Sequence, residues 1–224
     1  GSSDAGDKIS EQIKYVKVLW ESFGTSEVVN AGDLIGSVRW HTPYIYFTPG
    51  NTDKEGNALI GAFDENDQLV WSWHIWVTDT PAAHEYINDL NVHFGTYMDR
   101  NLGALTATPG EAGIAGLLYQ WGRKDPFLTS GDIASATPNT VASSVLSEDM
   151  QWMVIPSNQV VGTVAFATKN PTTFITGVSP NYSWLHTPDI SLWGNDKTIY
   201  DPCPAGWKVA QSELGVNLGV VFYV

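Results

Sequence analysis

The 224-residue chain carries 24 acidic against 11 basic residues, a formal net charge of −13 that repels phosphate backbones and anionic lipid headgroups. A hydrophobic fraction of 43% is enough for a full core, so disorder is excluded for most of the length, and no run approaches the ~20 apolar residues that span a bilayer. Only 16% of residues are charged, and Thr, Ser, Asn and Gly supply the remaining polarity, which predicts a β-rich α+β fold.

Gly1 and the polar SSDAGDK that follows are expected to lie just downstream of a removed export signal, with residues 1–10 as a disordered tether. Residues 13–20, IKYVKVLW, are β-branched and aromatic and stop at Gly24, Thr25 and Ser26, which predicts a strand. Residues 34–47 predict two short strands around His41, Thr42 and Pro43, because Pro43 lacks the donor that a ladder needs. Residues 11–50 therefore read as N-terminal strands, either a small lobe or part of one domain with residues 51–224.

The clearest hairpin joins residues 57–63 to 68–78 through Asp64, Glu65, Asn66 and Asp67, whose short side chains suit turns. Ala83, Ile87 and Leu90 have helical spacing and predict a short helix, whereas HFGTYMD reads as a strand. GIAGLLYQWGRKDPF fits a buried helix or a buried strand equally. Residues 129–150, rich in Ser, Thr, Ala and Pro, predict a long surface loop, and strands are expected at 160–168, at 172–176 and in the closing VNLGVVFYV.

Ten tryptophans are the outstanding excess. In LVWSWHIWV, strict alternation sets Leu69, Trp71, Trp73, Ile75 and Val77 on a core face and Val70, Ser72, His74, Trp76 and Thr78 on a mixed one. Trp76 beside His74 could then stack on a sugar ring while polar neighbours bond its hydroxyls, or the strand could be central and covered on both faces. Trp184 and Trp193 lie near turn residues and are the loop indoles expected to face a ligand. Asp99, Arg100 and Asn101 in MDRNLGA predict a locked corner, Trp121 precedes the charged Arg123, Lys124 and Asp125, and DPCPAGW predicts a tight corner around Cys203 before a structural Trp207.

The phrases GNALIGAFDENDQLVWSWHIWVTD, YMDRNLGALTATPGEAGIAGLLYQWGRKDPF, KNPTTFI and KTIYDPCPAGWKV together resemble the Fibrobacter succinogenes major paralogous domain of Bacteroidetes surface lipoproteins and fimbrillin-type proteins. MDRNLGA and DPCPAGW are the specific parts, while Lys208 and Ala210 stand where that family usually carries Arg and Pro. The resemblance implies export to the cell surface or outer membrane, lipid anchoring through an upstream cysteine, and a fold similar to C-type-lectin-like domains and the formylglycine-generating enzyme. It implies no established activity.

Catalytic and metal signals are thin. Cys203 is the only cysteine, so it cannot form an intrachain disulfide or a two-thiol site, and nothing in sequence links it to His186. Asp64, Asn66 and Gln68 imitate the start of a calcium loop that lacks the required Gly and Glu, and His84 with Glu85 begins a zinc motif whose second His is Asn88. Lectin-like folds often carry calcium, but no coordinating set is legible here, and no cofactor is assigned. The expectation is a non-catalytic surface recognition module that binds glycan, with a structural or tip subunit of a fimbria-like assembly as the alternative. Its partners would be glycan or other surface subunits, without nucleic acid or membrane insertion.

Overall fold

A four-stranded antiparallel sheet in the order β10–β1–β4–β5 organises the chain, built from β1 (Tyr15–Ser22), β4 (Gly56–Phe63), β5 (Leu69–Val77) and β10 (Val145–Leu146). The computed structural model describes residues 9–87, 89–128, 142–180 and 182–210. All eight residues of β4 are buried, because both its edges are paired and both its faces are covered. Gly61 sits where a Cβ would come within 2.8 Å of Leu19 and Leu69 methyls, so a larger residue there would have to displace those β1 and β5 side chains. The turn between β4 and β5 is an Asx turn, in which Asp64 Oδ1 accepts from the N–H groups of Asn66 and Gln68, both at 2.9 Å.

A bulge decides which side chains of β5 face which layer. Phe63 pairs with Leu69 but Ala62 pairs with Trp71, so two residues of β5 oppose one of β4. Strict alternation thus fails at its first step. Leu69 joins the central core with Leu19, Trp20, Leu59, Phe63, Leu117, Tyr119, Trp193 and Val209, whereas Trp71, Trp73 and Ile75 pack with Val16, Ile60 and Ala62 on the opposite face.

That opposite face is partly roofed by a hairpin of β2 (Ile35–His41) and β3 (Tyr44–Pro49), joined at Thr42 and Pro43. Val38, Trp40 and Ile45 turn inward to meet the sheet. The hairpin is fixed at its base by Glu21, only 1% exposed, whose carboxylate accepts from the backbone N–H groups of Gly32 (2.7 Å), Leu34 (2.8 Å) and Ile35 (2.8 Å). A buried carboxylate is tolerable there because charge-assisted bonds replace its water.

The remaining elements are β6 (Ala83–Ile87) paired with β7 (His93–Met98), β8 (Leu117–Leu118) with β9 (Phe127–Leu128), and β11 (Met153–Pro156) in parallel with β12 (Thr173–Thr176). The only α-helix with described bounds, α1 (Val164–Lys169), joins β11 to β12 and lies against β5. The chain is therefore mostly β with few helical residues.

Three elements differ from expectation. Residues 83–87 form a strand, because a two-turn helix is too short to hold itself while the segment can pair residue by residue with β7. The second half of the run 160–168 is helical despite its Val and Thr, because Thr163 Oγ1 caps the N–H of Phe166, Asn158 Oδ1 accepts from Val160 and Val161, and Asn170 Nδ2 donates to Phe166 O. Val145 and Leu146, expected in a loop, pair with β1 as β10. Most of the tether at 1–10, residues 129–141 of the expected loop and the closing VNLGVVFYV lie outside the described residues.

Candidate functional site

Three of the side chains first suspected of ligand contact sit on the core-facing side of the fold. His74 Nε2 lies 2.9 Å from Asn57 Oδ1 and its Nδ1 lies 3.0 Å from the Tyr119 hydroxyl. In the neutral ring, Nε2–H donates to the amide oxygen while Nδ1 accepts from the phenol, and Asn57 Nδ2 in turn donates to Gly103 O at 2.9 Å. Desolvation pushes the imidazole pKa down to about 3, so the ring is neutral and structural. Trp184 and Trp193, expected on open loops, are 5% and 1% exposed. Their indole N–H groups donate to Trp121 O (2.6 Å) and Tyr200 O (2.8 Å), so both plug the core between loops.

Trp76 is the fourth, and it is a packing residue rather than an open platform. It leans on the central core and its N–H donates to Ala104 O at 3.1 Å. Beside it on the same face, the Ser72 hydroxyl donates to Asp125 Oδ1 at 2.6 Å, and the Lys124 ammonium contacts Ser72 Oγ, Ser72 O (3.1 Å) and Asp125 Oδ1 (2.6 Å). All three residues are buried, and desolvation lowers the Lys124 pKa. Arg123, also buried, donates to Gln120 Oε1, Thr173 O and Asn170 O, which ties the turn before β9 to β12. Desolvation brings its pKa down to about 10.

The two corner phrases act as clamps. Arg100 grips Asp99 through Nε (2.9 Å) and Nη2 (3.1 Å) and Asp79 through Nη1 (2.5 Å), while Asn101 Nδ2 donates to Ala115 O. The guanidinium holds the Asp99 carboxyl below its usual range. In DPCPAGWKV, Asp201 Oδ1 accepts from Cys203 N (2.9 Å) and Lys197 Nζ (2.6 Å), and Oδ2 accepts from Val209 N (2.9 Å), so one carboxylate closes both ends of the turn. Cys203 is buried and burial raises its thiol pKa, which is the reverse of an activated nucleophile, and His186 is exposed elsewhere. Trp207 packs against the central core. Among the described residues, no three His, Cys, Asp or Glu side chains gather into a metal-holding group, and no helix is long and apolar enough to cross a membrane.

The open aromatic surface lies on the other side of β5. Trp71 and Trp73, two residues apart and past the bulge, project from the same face, and Trp40 of the hairpin meets them. All three are half-buried, and with Ile13, Pro43 and Ile199 they line a hollow of about 330 Å³. That size is at the low end of small-molecule sites. Trp71 is held from two directions, with the Lys124 ammonium 4.4 Å from its ring centroid and the Tyr200 ring at 6.0 Å. The arrangement offers fixed indole faces to the apolar side of a ligand ring.

The chain matches no family model, no curated protein and no solved structure. The hollow must therefore be judged on its own chemistry. Alternation in LVWSWHIWV places Trp71 and Trp73 together, but it assigns them to the core because nothing local says that the hairpin roofs their face incompletely. Trp121, grouped with the structural residues by sequence, is 43% exposed and rests edge-on against Trp193 at 5.1 Å.

Proposed function

We propose that this chain is the recognition module of an exported bacterial surface protein, and that it binds glycan in the hollow of Trp40, Trp71 and Trp73. The observation that carries this reading is the pairing of two half-exposed indoles on one strand face with a third from the roofing hairpin, around a hollow sized for one or two sugar rings. Sugars present apolar C–H faces that stack on aromatic rings and hydroxyls that remain solvated, so a shallow, open, aromatic site suits them better than a closed pocket would. The resemblance carried by MDRNLGA and DPCPAGW supports surface location, lipid anchoring and a C-type-lectin-like core, and both phrases fold here as tight corners.

Tryptophan emission tests the proposal directly. Titration with neutral oligosaccharides should shift or quench the signal, and Trp71→Ala or Trp73→Ala should weaken binding about tenfold while leaving the fold intact. If a broad panel of neutral and acidic glycans leaves the emission unchanged, glycan recognition by this chain is wrong.

A further inference from the structure

The inward face of the β2–β3 hairpin roofs the hollow, and its outward face has chemistry of its own. Cross-strand pairing sets Ser37 opposite Thr48, Arg39 opposite Tyr46, and His41 opposite Tyr44, all on the side away from the sheet. Each of these residues is exposed, with Tyr44 at 64% and Tyr46 at 42%. They are nonetheless ordered against one another. The Arg39 guanidinium lies 4.8 Å from the Tyr46 ring centroid, and the Tyr46 ring meets His41 edge-on at 6.4 Å and Tyr44 at 6.5 Å.

Among the described residues, Lys17, Lys54, Arg100, Lys124 and Lys197 each meet a carboxylate, whereas Lys14, Arg39, Arg123, Lys169 and Lys208 do not. Of that second group Arg39 is the exposed cation that lies over an aromatic ring. Arg39 is exposed with its guanidinium over the Tyr46 ring, and a guanidinium held on a ring face keeps N–H groups that can bind a carboxylate or sulfate through two parallel bonds. The Tyr44 and Tyr46 hydroxyls and the His41 ring add donors along the same face. A net charge of −13 disfavours any anion at long range, so an anion can be admitted only where cations and donors are concentrated.

We infer that the outer face of this hairpin is an anion-reading extension of the hollow, in which Arg39, His41, Tyr44 and Tyr46 hold the carboxylate or sulfate of an acidic saccharide. The inference rests on the glycan reading of the hollow and names its ligand class. The two surfaces are continuous through the hairpin tip, because Pro43 lines the hollow while His41 and Tyr44 flank the turn in which it sits. A chain of sugars that stacks one ring on Trp71 or Trp73 and continues past Pro43 would meet the ladder next. A neutral saccharide gains only from the hollow.

The test compares four probes by calorimetry and tryptophan emission on the full chain: a neutral gluco-oligosaccharide, an oligogalacturonate, a sulfated hexasaccharide and a polyglutamate peptide. Wild type should favour one or both acidic saccharides over the neutral one by about fivefold. Arg39→Gln should erase that preference and keep neutral binding within twofold, whereas Trp73→Ala should weaken neutral and acidic saccharides alike. Preference for the oligogalacturonate alone, or for the sulfated probe alone, identifies the anion and supports the inference. If neutral sugar binds at least as well as the acidic ones, or Arg39→Gln leaves the preference intact, the anion site is wrong while the hollow stands. Polyglutamate binding as tightly as the acidic saccharides and equally sensitive to Arg39→Gln overturns the saccharide assignment. If no saccharide binds, the glycan reading of the hollow falls, and the extension falls with it.

Discussion

The two faces of β5 take side chains of the same kind to different ends. On one, Ser72, His74 and Trp76 each spend their polar atoms on partners from the neighbouring strand or from segments distant in sequence: Asp125 and Lys124, Asn57 and Tyr119, and Ala104. On the other, Trp71 and Trp73 face a hollow that one short hairpin roofs only in part. A tryptophan therefore becomes core or surface according to what the rest of the chain lays over its face, which is a non-local fact. Residue type does not decide it.

The most severe way to break this contrast is to open the polar side. Asp125→Ala leaves the buried Lys124 ammonium without its carboxylate, and the loss should be about 4 kcal/mol, read from the urea midpoint. A loss below about 1 kcal/mol would mean that Lys124 reaches water easily and that this face is not closed. Next in size is a direct comparison within the strand. Both indoles are half-buried, but Trp76→Ala removes contact with the central core and a hydrogen bond and should cost about 3 kcal/mol, whereas Trp73→Ala, which lines the hollow, should cost about 1.5 kcal/mol. Equal losses would dissolve the distinction between the faces.

Acid sharpens it further, because only the closed face holds a titratable ring in neutral form. His74 has a folded-state pKa of about 3, below the value of about 6.5 expected when unfolded. Between those values the unfolded state binds the proton first, so this contribution is complete above pH 6.5 and is lost as pH falls. The loss between pH 7 and pH 5 should be about 2 kcal/mol, visible as a falling thermal midpoint. His74→Gln should flatten that slope, and an unchanged slope in the variant would assign it to other groups.

Much of this is legible in the amino-acid sequence. The hairpin through Asp64 to Asp67 follows from side chains that accept their own turn's N–H groups, and the strands of residues 13–20 and 34–47 follow from β-branched and aromatic runs broken by Gly24 and Pro43. Local information failed where a partner or a cap overrode propensity, as in the 83–87 strand and the helix that Thr163 starts. The aromatic lining of the hollow is hidden from sequence for a related reason. Sequence put Trp71 with Trp73 but could not see the bulge that separates them from Leu69, nor the hairpin that leaves them open. Glu21 left no motif at all, because its partners are the backbone amides of Gly32, Leu34 and Ile35.

The smallest expected effect is the most discriminating, because it concerns a residue that touches both faces. The Lys124 ammonium is bound behind β5 to Ser72 and Asp125 and also lies 4.4 Å from the Trp71 ring that lines the hollow. Ser72→Ala deletes a hydroxyl that both charges share, yet Lys124 keeps Ser72 O and Asp125 Oδ1, so the stability loss should be only about 1 kcal/mol. Since the ammonium then stays in place over Trp71, glycan affinity at the hollow should be unchanged. A shift in affinity beyond twofold in a folded Ser72→Ala variant would show that Lys124 transmits the state of the polar row to the indole, and the two faces would have to be treated as one coupled site.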